Sequence, residues 1–522
     1  MEFMSTHLLT SILFFPVVVA LVLLFLPSDQ QKLIRWTAFI GSLIPLGLTI
    51  WMWTQFNSTA AGFQFQERYP WYDALGSSFH IGIDGISFSM VFLTTLLTPI
   101  VILASFGITD RVKAYMMLFL FLEMGMLGVF MALDLLIFFV FWELGLVPMY
   151  FLINQWGSPK GEREVNSIFG KFTMPSRNYA SFKFMIYTMA GSLGLLLAIQ
   201  LIGVLFGTYD LLTLYEKWTS LTDGTLLGMP VAQVKTVAFW AFAVAFALKV
   251  PVWPFHTWLP DAHTDAPTAG SMILAGVLLK LGAYGFIRLV LPLYPAESAQ
   301  YAGALAFLAM MAIVFGAFAS YGQTDFKRLV AYSSVNHMGF VLLGIAAAAA
   351  SAGTMDAHIA MSGAVLQMFN HGLSSAGMFF LVGVIYDRTH TRNLDDFGGL
   401  FPLVPVYGTI MIFTSMASLG LPGLNGFVSE FMVVRGAFPV LTVYTALSMI
   451  GLLFTGAYIL KGIKKVLHGP LNEHWAHGEH RLTEINTREI LVMAPLMILI
   501  LVTGIWPMWI LDVINKAVTM LF

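Results

Sequence analysis

The sequence predicts an all-α polytopic membrane protein with about fourteen transmembrane helices, on three observations. Of its 522 residues 58% are hydrophobic and only 10% are charged, where soluble domains are about a quarter charged. Apolar runs of bilayer-spanning length, about 20 residues each, recur from end to end. Two of these runs are interrupted by proline or glycine beside an ionisable side chain. The formal net charge of −2 gives no hint of a nucleic-acid partner, and the absence of cysteine removes disulfides, thiolate nucleophiles and cysteine-ligated iron–sulfur clusters. No glycine-rich phosphate loop lies between a strand and a helix. The chain is expected to hold no nucleotide, metal or redox centre of its own.

In order, the runs fall near 7–27, 33–55, 82–108, 114–133, 135–154, 181–206, 236–260, 268–291, 301–321, 326–349, 357–386, 403–437, 439–460 and 490–514. The first has no basic residue ahead of it and no small-residue cleavage site, so it reads as a retained helix and not a signal peptide. The polar, aromatic stretch 56–81 suits a small hairpin lying over the surface. Loops after odd-numbered helices carry 18 of the 26 Lys and Arg residues; 6 lie on the other side, and Lys249 and Lys280 fall within the bilayer. That asymmetry puts the odd-numbered loops in the cytoplasm and both termini outside it.

Helix seven organises the chain. Lys249 stands near its middle, with Pro251 and Pro254 just beyond. A charge at the centre of an inserting helix costs roughly 2.5–3.5 kcal/mol, so it needs a reason. Proline has no amide hydrogen, so the carbonyls of Ala247 and Val250 are expected to be freed beside the ammonium. Broken backbone survives at that depth only under a cover of protein or water. A second interruption, Gly420-Leu-Pro422-Gly423-Leu-Asn425-Gly426, precedes Glu430 in 403–437. At about 1.5 Å per residue that segment exceeds one crossing, so two half-helices are expected. The interrupted helices are numbers seven and twelve. Being an odd number apart, they cross in opposite directions, which points to two inverted five-helix repeats, helices 4–8 and 9–13. The expected divisions are 1–110 for helices one to three, 111–292 and 300–465 for the repeats, and 466–522 for a cytoplasmic loop and helix fourteen.

The ionisable residues at bilayer depth are Glu123, Glu143, Lys249, Lys280, His337, His371 and Glu430. A desolvated lysine gives up its proton more readily and a nearby carboxylate reverses that, so such a pair can switch near neutral pH. Histidine titrates there unaided. A file of such groups is a proton relay. The plainer alternatives are a static Glu143–Lys249 ion pair, a Lys280 paired with an unseen neighbour, and hydrogen-bonded core histidines. Axial haem ligation by His337 and His371 lacks the paired-histidine spacing of two helices. His256, Asp261, His263 and Asp265 end helix seven on a cytoplasmic stretch with no basic residue, which suits a proton entry funnel; their spacing is not a helical zinc pattern. His474, His477 and His480 read as a solvated loop. Asp84, Asp110 and Asp134 lie at or near helix ends, where a carboxylate is easily hydrated.

The run from Phe246 through Lys249-Val-Pro-Val-Trp-Pro-Phe-His256-Thr-Trp-Leu-Pro-Asp261 to Ser271, followed by Leu278-Leu-Lys280, resembles the antiporter-like subunits of respiratory complex I. Multi-subunit cation/proton antiporters and membrane-bound hydrogenases share it. Phe141-Trp-Glu143, Lys327-Arg-Leu-Val-Ala-Tyr-Ser-Ser-Val335, Asn370-His371-Gly372-Leu373 and Leu421 to Glu430 extend the resemblance over nearly the whole chain. Glutamate at 430 separates it from the L-type and N-type members, which resemble each other in having lysine there. The chain also ends soon after helix fourteen, without the L-type's lateral helix.

The resemblance implies a proton-translocating subunit in a prokaryotic inner (plasma) membrane. Glu143 and Lys249 would be the modulating pair, Lys280 with His337 and His371 the central axis, and Glu430 the outward step. Glu123 would lie near a subunit interface. NADH, flavin, iron–sulfur clusters and quinone would sit on partner subunits, and neighbouring antiporter-like subunits would be direct partners. A cation/proton antiporter subunit and a purely structural membrane scaffold are the competing readings.

Overall fold

The computed structural model describes residues 7–159, 161–167, 170–477 and 481–521. Among them thirteen helices are long and apolar enough to cross a bilayer. These are α1 (Leu8–Phe25), α2 (Gln31–Gln55), α3 (Gly85–Ala104), α4 (Val112–Met131), α5 (Leu135–Trp156), α6 (Ser176–Phe206), α7 (Val231–Lys249), α8 (Thr268–Leu293), α9 (Ala302–Gly322), α10 (Phe326–Ala350), α11 (Met355–Thr389), α13 (Thr442–Leu467) and α14 (Thr487–Ile505). The remaining crossing, α12, is made of two pieces, Pro405–Leu419 and Asn425–Ala437, each too short alone.

Both interruptions stand where proline and glycine place them. α7 stops at Lys249, and the chain resumes as the short helix Trp258–Asp265. The cost of the break is smaller than the sequence suggests. The Ala247 carbonyl, expected to be free, accepts from the Val252 amide at 2.8 Å, and the Leu248 carbonyl accepts from the Trp258 indole at 2.8 Å. In α12 the first half ends on Gly420, whose φ of 83° a side chain would strain. The amide of Leu421 returns to the Met416 carbonyl at 3.1 Å. Asn370 of α11 and Asn425 then donate to each other's backbone carbonyl, fixing the start of the second half.

Residues 64–83 form the expected hairpin, β1 (Gln64–Tyr72) antiparallel to β2 (Ser77–Ile83). Asp134 accepts from Ser77 and from the Ser78 amide, while His80 of β2 meets Asp210 at 2.8 Å. Burial pushes the Asp210 carboxyl up, but the His80 ring and Thr213 overrule it and hold it at about 2. Other elements depart from expectation. Helix fourteen is not one run over 490–514, because α14 ends at Ile505 and an amphipathic helix, Met508–Thr519, follows Pro507. The loop after α5 holds a second hairpin, β3 (Glu162–Ser167) with β4 (Gly170–Pro175). A short helix over Leu211–Ser220 buries Leu211, Leu214 and Trp218, which share one face.

The interior belongs to α8, α10 and α11, whose apolar windows are 100%, 94% and 100% buried by other helices, against 33% for α2 and α14. That burial lets these helices carry polar residues away from lipid. α8 and α11 cross at Gly276 and Gly372, where a β-carbon on Gly372 would come within 2.9 Å of the Gly276 carbonyl oxygen. Gly372→Val is expected to force the two helices apart at an overpacking cost of about 1–3 kcal/mol. A lowered thermal midpoint of the solubilised protein would register it, and an unchanged midpoint would mean that the crossing is not tight.

Candidate functional site

The crossing of α8 and α11 places Lys280 against His371. The Lys280 ammonium is fully buried, donates to the Ala275 carbonyl one turn back, and lies 2.8 Å from His371 Nδ1. A π-turn over Leu274–Leu278 widens α8 immediately before it, a departure often found at functional positions. The unseen neighbour of Lys280 is therefore a histidine and not a carboxylate. The His371 ring stands 5.6 Å, centroid to centroid, from that of His337 on α10. His337 Nδ1 meets the Glu430 carboxylate on the second half of α12 at 2.7 Å, and its Nε2 meets the Tyr458 hydroxyl of α13 at 3.2 Å.

Gln367 donates to the same Glu430 oxygen at 2.9 Å and accepts from Ser429 at 2.5 Å. Both histidines line one small cavity, together with Gln367, Ser374, Ser418 and Glu430. Its volume is about 10 Å³, the room one water needs, and its lining offers several polar partners. Four helices thus contribute one file: Lys280, His371, His337, Glu430. Gln367 and Tyr458 were not singled out from sequence. The signal for Gln367 was its place one helical turn before His371.

The other expected site residues are arranged differently. Lys249 is not in salt-bridge contact with Glu143. Its ammonium sits 3.7 Å from the centroid of the Trp142 ring and donates to the Trp142 carbonyl at 3.3 Å. Trp142 precedes Glu143 on the same turn and takes the position facing α7, so a cation–π contact stands where an ion pair was expected. Glu143 is half-buried, and its Oε1 has no hydrogen-bond partner. Glu123 is fully buried in α4 with both carboxyl oxygens unpartnered.

The expected entry funnel is corrected as well. Asp261 is not in a stretch free of cations: Arg163, Lys183 and Arg328 converge on it at 2.9, 2.8 and 3.2 Å from three other segments. Asp265 accepts from Ser176 at 2.7 Å. His263 is fully buried and stacked on Phe379 at 4.2 Å, and His256 is half-buried against Tyr332. Neither joins the file. His477 lies exposed, 3.4 Å from Glu473, and His480 lies outside the described residues. Asp84 and Asp134, expected to be hydrated, are buried instead and cap α3 and α5.

Residues 132–455, which include the whole of this file and both interruptions, match the family model described as NADH:quinone oxidoreductase/Mrp antiporter, transmembrane. The NADH-quinone oxidoreductase subunit M of Rhodobacter capsulatus is 37% identical over 527 residues, covering 98% of this chain and 96% of that one. The subunit M of Pseudomonas aeruginosa is 39% identical over 494 residues, covering 93% and 91%. Among solved structures, a chain of respiratory complex I from Thermus thermophilus with bound NADH superposes with a TM-score of 0.81 at 25% identity, over 98% of this chain and 99% of that chain. The chain therefore belongs to the NADH:quinone oxidoreductase/Mrp antiporter transmembrane family, on its subunit M branch.

Proposed function

We propose that this chain is a multi-pass inner-membrane subunit of a proton-pumping NADH–quinone oxidoreductase, and that it moves protons through the file Lys280–His371–His337–Glu430. The contacts of Lys280 with His371 and of His337 with Glu430, all inside the helical core, carry the reading. A lysine, two histidines and a carboxylate can each hold and release a proton, and both histidines line one polar cavity. Lys249 approaches this file from the broken end of α7. Moving its ammonium between the Trp142 face and the Glu143 carboxylate would alter the field along α8 without opening a path for ions. In this reading, the 18 basic residues in loops after odd-numbered helices hold that face in the cytoplasm.

The relatives named for NADH and quinone support placing those two on partner subunits; in this reading flavin and iron–sulfur clusters sit there with them, and this chain transfers protons only. The inverted-repeat relation of α4–α8 to α9–α13 is part of the proposal, supported by the interruptions at Lys249 and Gly420. The test uses inverted membrane vesicles containing the assembled complex. NADH should acidify the lumen, and an imposed sodium gradient without NADH should not move protons. Sodium-driven proton exchange without an electron donor would favour the antiporter reading, to which the family name also extends.

A further inference from the structure

The geometry points to a second device on α8: Tyr284, Arg288 and Asp84 form a proton seal that separates Lys280 from an open cavity at the hairpin face. The inference rests on the relay reading above, because an insulator matters only if Lys280 carries a mobile proton. Lys280, Tyr284 and Arg288 recur every four residues and so share one side of α8. Beyond Arg288 opens a cavity of about 670 Å³, whose lining includes Asn57, Gln64, Asp84, Tyr215, Arg288 and Lys516. Its size and polar rim admit water. Lys280 lies about 12 Å deeper, at 1.5 Å rise per residue. An open path over that distance would let protons from this side reach the relay and short-circuit it.

The hydrogen bonds form a barrier and not a wire. Arg288 donates from Nη2 to Asp84 Oδ2 at 2.6 Å and from Nε to the Tyr284 hydroxyl at 3.1 Å. Tyr284 in turn donates to the Phe130 carbonyl at 2.9 Å. The phenolic proton is spent on a backbone carbonyl, which has none to hand on, and arginine does not deprotonate in proteins. A fixed guanidinium at a constriction also repels incoming protons. The plug is held in place, since Tyr215 donates to the Arg288 carbonyl at 2.6 Å and the Phe63 ring covers the guanidinium at 4.6 Å. Arg288 is 3% exposed, and Tyr284 and Lys280 are not exposed at all, so no water-sized opening touches the tyrosine or the lysine on this side of α8.

A merely structural ion pair between α3 and α8 would lower stability when removed and would not change proton permeability. The test therefore reads passive leak. Vesicles containing the assembled complex receive a pH gradient without NADH, and its decay is followed with a pH-sensitive dye. The double variant Asp84→Asn with Arg288→Met removes both charges, so neither is left buried alone. Decay several-fold faster than wild type is expected, with Arg288→Lys staying near the wild-type rate. Adding Lys280→Met to the leaky variant is expected to slow the decay again. A fully assembled double variant decaying at the wild-type rate overturns the seal, whether or not its pumping survives. A leak that persists without Lys280 overturns it too, because the insulated group would then be another one. Failure of the relay reading shows separately, as full NADH-driven pumping in Lys280→Met alone.

Discussion

Lys280→Met is expected to abolish proton transfer through this chain while leaving the complex assembled. Methionine keeps the unbranched shape and loses the ammonium that meets His371 and the Ala275 carbonyl. Its apolar tip suits a fully buried position, and that gain offsets the cost of leaving the Ala275 carbonyl and His371 without the ammonium, so stability should change little. By the usual effect of deleting a proton-transferring group, the rate through the file should fall about a hundredfold or more. Lys280→Arg sharpens the test. It preserves the positive charge but cannot release a proton, so a relay predicts the same block, whereas a lysine acting only as a fixed charge predicts activity. NADH-driven acidification of vesicles, normalised to complex content, reads both variants.

Glu430→Gln should block transfer at the far end of the same file. The amide keeps the shape and still meets Gln367 and His337, but it can no longer hold the proton that His337 passes on. A loss of similar size, about a hundredfold, is expected with little change in the thermal midpoint. Glu430→Ala should stop transfer and also destabilise. It strips two buried side chains of their shared acceptor, at about 1–3 kcal/mol for each polar group left unsatisfied. A lower midpoint in the alanine variant than in the glutamine variant would separate packing from proton transfer. Equal midpoints would mean that the contacts to Glu430 add nothing to stability.

What the sequence made legible was whatever leaves a local mark. Prolines 251 and 254 announced the break after Lys249, and the glycines from 420 to 426 announced the one before Glu430. Lysine 280 stood out because every other residue from Met272 to Ala283 is apolar or glycine. The partners were not legible, because they depend on which helices cross. Only the close approach at Gly276 and Gly372 brings His371 to Lys280.

Direct Glu143–Lys249 contact is prevented by a rotation of one residue, which sets the Trp142 face and not the carboxylate against the ammonium, while the Glu143 charge still acts on Lys249 from beyond contact distance. The funnel around Asp261 failed because its three cations come from the β3 hairpin, α6 and α10, each far away in sequence. Arg288 looked like an ordinary basic residue near a helix end. Its depth follows from Phe63, Asp84 and Tyr215, which reach it from three other segments, and no pattern within α8 reveals that.

The most direct measurement takes the proton-to-electron ratio of the purified complex in sealed vesicles, with wild type, Lys280→Met, Glu430→Gln and the two substitutions combined. If both residues belong to one file, each single variant loses the whole of this chain's share and the double variant loses no more. Deficits that add, or a Lys280→Met complex that pumps at the wild-type ratio, would mean that protons cross this chain by some other route.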